Sequence, residues 1–117
     1  MKSYADIKQC RKLAEFLPIK SADMCFNISQ RHNMPPLMTP YSKFNKFFDI
    51  SPTPDFLIPC WSLAALLNVL PSSTLDSSDD HHYRLHCMER FTEWYDNPID
   101  ACYEMILKLK EKNILWL

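Results

Sequence analysis

The chain of 117 residues is 47% apolar, 23% charged and 13% aromatic, the range of one compact domain with a single modest core. Thirteen basic residues against fourteen acidic ones give a formal net charge of -1, which removes the global attraction behind nonspecific nucleic-acid or anionic-membrane binding and leaves only local patches. Glycine is absent from the sequence, and because Walker-type phosphate loops and dinucleotide-binding turns need it where backbone meets ligand, both classes are disfavoured.

Apolar residues at Tyr4, Ile7, Cys10, Leu13, Ala14 and Leu17 recur at the spacing of one helical face, with Lys8, Arg11, Lys12 and Glu15 elsewhere. This predicts an amphipathic helix over 4–17, capped by Ser3, with Asp6 near its positive end, and stopped by Pro18. After Pro18, six of the nine prolines fall before residue 60 (Pro35, Pro36, Pro40, Pro52, Pro54 and Pro59). Each removes a backbone donor and restrains its neighbour, so segment 18–59 is expected to be irregular. Within it, Met24 to Ser29 suits a short strand, and a helix over Tyr41 to Phe48 would set Tyr41, Phe44, Phe47 and Phe48 on one side. Such aromatics usually close a core; the sharper alternative makes them a docking surface for another macromolecule.

Ser62 is a natural N-cap and Pro71 a stop, and the residues between are apolar on nearly every side, which predicts a central, mostly buried helix. Residues 72–80 are polar, acidic and without period, as expected of an exposed loop. From His82 to Met88 the chain alternates, with His82, Arg84, His86 and Met88 on one face and Tyr83, Leu85 and Cys87 on the other, the pattern of a half-buried strand. A second strand over Phe91 to Tyr95 would pair with it, and without glycine the connection at Met88 to Arg90 is expected to be loose or bulged. Asn97 as cap, Pro98 at the first helical position and Asp100 in the first turn open a C-terminal helix. Its core stripe is Ile99, Cys102, Tyr103, Ile106 and Leu109, with Met105 beside it. Lys108, Lys110 and Lys112 suit its negative end, Asn113 a left-handed cap, and Ile114 to Leu117 are expected to pack back on the domain.

Five widely spaced cysteines (Cys10, Cys25, Cys60, Cys87 and Cys102) include no C-x-x-C pair, which fits reduced thiols. No secretion signal is visible, and the apolar run from Leu63 to Leu70 is far shorter than the roughly 20 residues of a membrane span. A soluble, intracellular protein is the expectation.

Two segments, Ile58-Pro59-Cys60-Trp61-Ser62-Leu63-Ala64-Ala65-Leu66-Leu67 and Asp96-Asn97-Pro98-Ile99-Asp100-Ala101-Cys102-Tyr103-Glu104-Met105-Ile106-Leu107-Lys108-Leu109, resemble small proteins of phages and prophages in Bacteroidetes-type bacteria. In those proteins a P-C-W-S-L helix start precedes two strands and a P-I-D-A-C-x-E-M helix. Lys20-Ser21-Ala22-Asp23-Met24 is a weaker third match, and the order of elements is similar to phage alpha-beta-alpha sandwich domains. The relatives tend to carry glycine near the second helix and in the hairpin, where this chain has Ala64 and Met88 to Arg90. The resemblance implies a class of function: small phage accessory proteins often bind and disable a host defence enzyme, anti-CRISPR proteins among them. It carries over no catalytic residue.

The histidines and cysteines offer little chemistry by spacing. His82 and His86 share a strand face but lie about 13 Å apart at the usual rise, too far for one ion to join. A site combining His81 or His82 with Cys60 or His32 would depend on the fold. His86 and Cys87 point to opposite strand faces, which defeats a thiolate–imidazole dyad. Cys60 at a helix start is more commonly a packing residue, and Asp96 and Asp100 fit a helix start better than an acid–base pair. Basic groups with aromatic platforms occur twice: Arg31, His32, Lys43 and Lys46 with Tyr41, Phe44, Phe47 and Phe48, and Arg84, His86 and Arg90 near Trp94.

The expectation is therefore a single α+β domain over 1–117, with an antiparallel sheet of three to four strands packed by about three helices. No catalytic residue, metal ligand or cofactor is assigned. The expected function is non-enzymatic inhibition of a bacterial defence system, with a CRISPR effector nuclease and its guide RNA as partner; direct RNA contact is the minority reading beside a solvated basic face. Tyr41, Phe44, Phe47, Phe48, Arg84 and Trp94 are the expected contacts, because aromatic and arginine side chains dominate interface energies. The alternatives are a nucleic-acid-binding or regulatory phage accessory protein and, third, a small metal-dependent enzyme.

Overall fold

Asp6, not Ser3, caps the first helix. In the computed structural model, which describes residues 2–27, 37–38 and 57–115, α1 spans Ile7–Leu13. The Gln9 amide donates to the Asp6 carboxylate at 2.8 Å and the Asp6 amide donates to the Gln9 side-chain oxygen at 3.1 Å, a reciprocal capping box. Residues 3–5 are drawn into extended pairing instead. The Ser3 carbonyl accepts from the Leu63 amide at 3.3 Å, and the Ala5 amide donates to the Trp61 carbonyl at 3.0 Å. The helix also stops short of Pro18, which opens a single turn of 3-10 helix over Ile19–Ser21.

The proline-rich stretch still contributes strands. β1 (Met24–Asn27), inside the strand expected at 24–29, is the centre of an antiparallel sheet in the order β2-β1-β3, with β2 at Leu37–Met38 and β3 at Leu57–Cys60. Pro59 is tolerated because β3 is an edge strand, where a missing N–H costs the ladder least. The helix expected over Tyr41 to Phe48, with its four aromatics, lies outside the described residues, as do Arg31, His32, Lys43 and Lys46.

Ser62 caps α2 (Leu63–Val69): its hydroxyl accepts from the Ala65 amide at 3.3 Å. It also donates to Asp23, whose other carboxylate oxygen accepts the Ser62 amide at 3.0 Å. Ala65 and Leu66 are buried while Ala64 and Asn68 are exposed, so this helix buries one face and not nearly all sides. Its two turns pack against the C-terminal helix and the 3-10 turn, leaving the far side to solvent.

The acidic stretch 72–80 is a loop only at its ends. Ser73–Ser77 forms β4, paired along its whole length with β5 (Tyr83–Cys87). Composition misleads there because β4 is an edge strand: Leu75 meets the core opposite Leu85, while Asp76 stands opposite Arg84. β6 (Arg90–Phe91) completes a second antiparallel sheet in the order β4-β5-β6. Among the described residues the architecture is α+β with three α-helices, as expected, but the strands are shared between two three-stranded sheets where the sequence suggests one.

The connection between β5 and β6 corrects another expectation. Cys87 pairs with Arg90, leaving a tight two-residue loop in which Met88 and Glu89 both have positive φ, 52° and 63°. That is the requirement of a type I′ turn, whose twist matches that of the flanking strands. Here it is met without glycine.

α3 (Pro98–Glu111) agrees with the sequence at both ends. Asn97 accepts the Asp100 amide at 2.9 Å, and Asn113 takes the left-handed conformation at φ 57°. The Asn113 amide donates to the Lys110 carbonyl and the Ile114 amide to the Leu109 carbonyl, each at 3.0 Å, the paired bonds of a Schellman cap. The helix packs on β5 and α2, and its buried Ile99, Cys102, Met105, Ile106 and Leu109 join one core cluster that reaches both sheets through Cys60, Trp61, Leu85 and Cys87.

Candidate functional site

One face of the second sheet stays open. Leu85 and Cys87 of β5 point into the core, which leaves Arg84 and His86 on the opposite side, as the alternation from His82 to Met88 requires. β6 brings Phe91 directly across from His86, and the two rings stack with centroids 4.2 Å apart and planes 5° from parallel. The Arg84 guanidinium carbon sits 4.4 Å from the Phe91 centroid and 4.7 Å from that of Trp94, so one cation joins both rings. Across the ladder Asp76 pairs with Arg84 at 3.3 Å, which holds the guanidinium in place and offsets its charge.

Trp94 belongs to this face because the strand bulges. His86 pairs with Phe91, but Tyr83 bridges to Tyr95, so Arg84 and Leu85 stand opposite three residues, Thr92, Glu93 and Trp94. Strict alternation from Phe91 would send Trp94 inward with Thr92. The extra residue reverses that, and the buried Thr92 secures it: its hydroxyl accepts the Leu85 amide at 2.9 Å and donates to the Glu93 carbonyl at 2.9 Å.

Among the described residues the large hydrophobic side chains left exposed are Met88 (50%), Phe91 (48%) and Trp94 (45%). All three fall within one seven-residue run at the tip and outer strand of the same hairpin. Of the expected contact residues, Arg84 and Trp94 are thus brought together, while Tyr41, Phe44, Phe47 and Phe48 lie outside the described residues. Phe91 and Asp76 were not singled out from sequence. A two-residue turn would have placed Phe91 opposite His86, but the absence of glycine argued for a looser one.

The residues weighed for other chemistry have structural work. All five cysteines are buried. Burial pushes the Cys102 thiol up to about 12 and raises Cys87, and the adjacent Cys10 thiol together with burial raises Cys60, so none of these three is suited to act as a thiolate. Cys10 and Cys60 both donate to the Ala5 carbonyl, at 3.4 and 3.5 Å. Among the described residues no group of three or more His, Cys, Asp and Glu side chains is placed to hold a metal ion. Asp100 accepts from Lys2 at 2.9 Å, Gln9 at 2.8 Å and Asn97 at 2.9 Å, tying α1 to the start of α3. Asp96 accepts from Asn97 at 2.9 Å.

No helix among the described residues is long and apolar enough to cross a membrane. Comparison with known proteins returns no matching family model, no matching curated protein and no matching solved structure.

Proposed function

We propose that the protein works by binding and not by turnover, as a phage-derived inhibitor that occludes a bacterial defence enzyme, an RNA-guided CRISPR effector nuclease being the target of choice. The observation that carries the binding role is the gathering of the exposed Met88, Phe91 and Trp94 on one hairpin, with Arg84 stacked between two of the rings. Aromatic and arginine side chains are the usual anchors of an interface, and here they are pre-organised by a bulge, a tight turn and an ion pair, so little ordering entropy remains to be lost on docking. The choice of target rests on the sequence resemblance to phage and prophage proteins.

The same stack of ring and guanidinium suits unpaired bases, which supports direct nucleic-acid binding as the second reading. The two separate in a cleavage assay. Purified protein is titrated into a panel of guide-loaded effector nucleases from Bacteroidetes, and cutting of target DNA is followed. Inhibition of one effector with an end point near one protein per nuclease is the expected result. No inhibition of any, or inhibition that rises with incubation time at far fewer copies than nuclease, overturns occlusion. Binding of free RNA that weakens steeply with salt favours the second reading.

A further inference from the structure

Beside the stacked face, Trp94 also borders an open groove of about 330 Å³ lined by Ser78, Asp80 and His82, from the loop joining β4 to β5. We infer that this groove receives a guanidinium side chain from the protein partner, stacked on Trp94 and paired with Asp80. The inference deepens the binding role proposed above and rests on it.

Charge selects this occupant. From Asp76 to Tyr83 the chain carries Asp76, Asp79 and Asp80 and no lysine or arginine. Asp76 is already satisfied by Arg84 at 3.3 Å. Asp80, which lines the groove, and its chain neighbour Asp79 are exposed and take part in no ion pair among the described residues, so the groove holds an unpaired carboxylate next to an indole ring that is 45% exposed. A flat cation satisfies both elements at once: the ring's negative face attracts it, and the carboxylate takes its N–H donors in a fork. Arginine fits better than lysine, whose compact, strongly hydrated ammonium does not stack. A phosphate backbone entering the groove would meet the Asp80 carboxylate, so nucleic acid is the wrong occupant for the groove.

Hydrogen bonds within the loop and a contact from the sheet shape the groove. The Ser78 hydroxyl accepts the His82 amide at 3.2 Å, the Ser78 amide donates to the His82 carbonyl at 2.9 Å, and Arg84 braces Trp94 from the sheet. Asp80 has no such role, which makes it a clean site for substitution: Asp80→Asn keeps the side-chain shape and removes the charge.

The test is an NMR titration of the full chain with three probes: a capped tripeptide with arginine at its centre, the same peptide with glutamate there, and a single-stranded oligouridylate. The expected result is that the arginine peptide shifts the Trp94 indole N–H and the Asp80 and His82 amides, and that Asp80→Asn weakens this at least tenfold with the remaining amide spectrum unchanged. The glutamate peptide and the oligouridylate should leave those signals in place. Absence of a shift with the arginine peptide at millimolar concentration, equal binding by Asp80→Asn, or oligouridylate binding at these residues overturns the inference. Arginine binding by a protein that inhibits no effector nuclease would confirm the groove and remove the target proposed above, so the two failures are distinguishable.

Discussion

The Leu85 amide donates to the Thr92 hydroxyl at 2.9 Å while the Thr92 amide donates to the Leu85 carbonyl at 3.0 Å, so one buried threonine replaces a ladder partner at the bulge. The place of Trp94 on the open face follows from that exchange, because the added residue is what turns it outward to Arg84.

Thr92→Val keeps the shape of the side chain and strands the Leu85 N–H in a buried position. Losing the partner of a buried donor costs about 1–3 kcal/mol. The variant should therefore unfold at lower urea, and Thr92→Ser, which retains the hydroxyl, should recover most of the difference. A Thr92→Val midpoint equal to that of the parent would mean that the bulge is not held by this bond.

The hairpin tip makes the opposite prediction. Met88 and Glu89 both occupy the left-handed region, where a side chain bearing Cβ costs about 1–2 kcal/mol per residue. Met88→Asn with Glu89→Gly supplies the residues such a turn favours, and the gain is partly offset by the greater freedom of glycine in the unfolded chain. A net stabilisation of about 1 kcal/mol is expected, read as a higher urea midpoint at unchanged slope. A lower midpoint would show that Met88 or Glu89 contributes more through its side chain than its backbone costs.

What the sequence disclosed and what it concealed divide along the range of the forces involved. Asn97 with Pro98, Ser62 and Asn113 act on backbone groups a few residues away, so their caps were legible. Met88, read onto the same face as Arg84 and His86, sits in the turn, but over Tyr83–Cys87 the alternation was legible, because it is a property of consecutive residues. Ser73–Ser77 was not, since its strand exists only through pairing with Tyr83–Cys87, and composition alone spoke for a loop. Ser3 lost the helix cap to Asp6 because residues 3–5 pair with a segment nearly sixty positions away. The placement of Trp94 was concealed by a bulge that breaks period two. Segments 20–24 and 58–67 meet in space: Trp61 donates to the Ser21 hydroxyl at 3.0 Å, and Ser62 is bound to Asp23. Those bonds help hold the fold together, and the open face lies elsewhere.

Asp100 gives the fold a dependence on acid. Burial works to raise its pKa, but the hydrogen bonds from Lys2, Asn97 and Gln9 outweigh it and hold the carboxyl below its ordinary value of 3.8. A depressed folded-state pKa contributes stability that is complete above 3.8 and is lost as pH falls through the lower folded value. Asp100→Asn removes that titration. The parent should be the more stable at neutral pH, and the two should converge as pH drops below about 4 in urea or thermal unfolding. Lys2 is the alkaline counterpart: burial would lower its pKa, yet Asp100 and Asp6 raise it above 10.5, so its contribution persists below 10.5 and fades as pH climbs through the higher value. Parallel acid limbs for parent and Asp100→Asn would remove Asp100 from the account.

The two exposed rings should not contribute equally to an interface. Phe91, although 48% exposed, already has His86 stacked at 4.2 Å and Arg84 at 4.4 Å, so its ring touches two side chains before any partner arrives. Trp94 meets Arg84 and otherwise borders the open groove, which leaves a large amphipathic ring, fixed in orientation, available for desolvation. Anchors of that kind cost 2 kcal/mol or more when truncated, roughly thirtyfold in affinity, whereas flanking contacts are near neutral. In the cleavage assay, Trp94→Ala should raise the concentration needed for half-inhibition by about thirtyfold, and Phe91→Ala by severalfold at most. Both variants need to unfold at the midpoint of the parent for the comparison to count, and solvent exposure of each ring makes that the expected outcome. Equal losses from the two substitutions would show that the stack docks as a single unit; a loss from Phe91→Ala alone would move the anchor away from the groove.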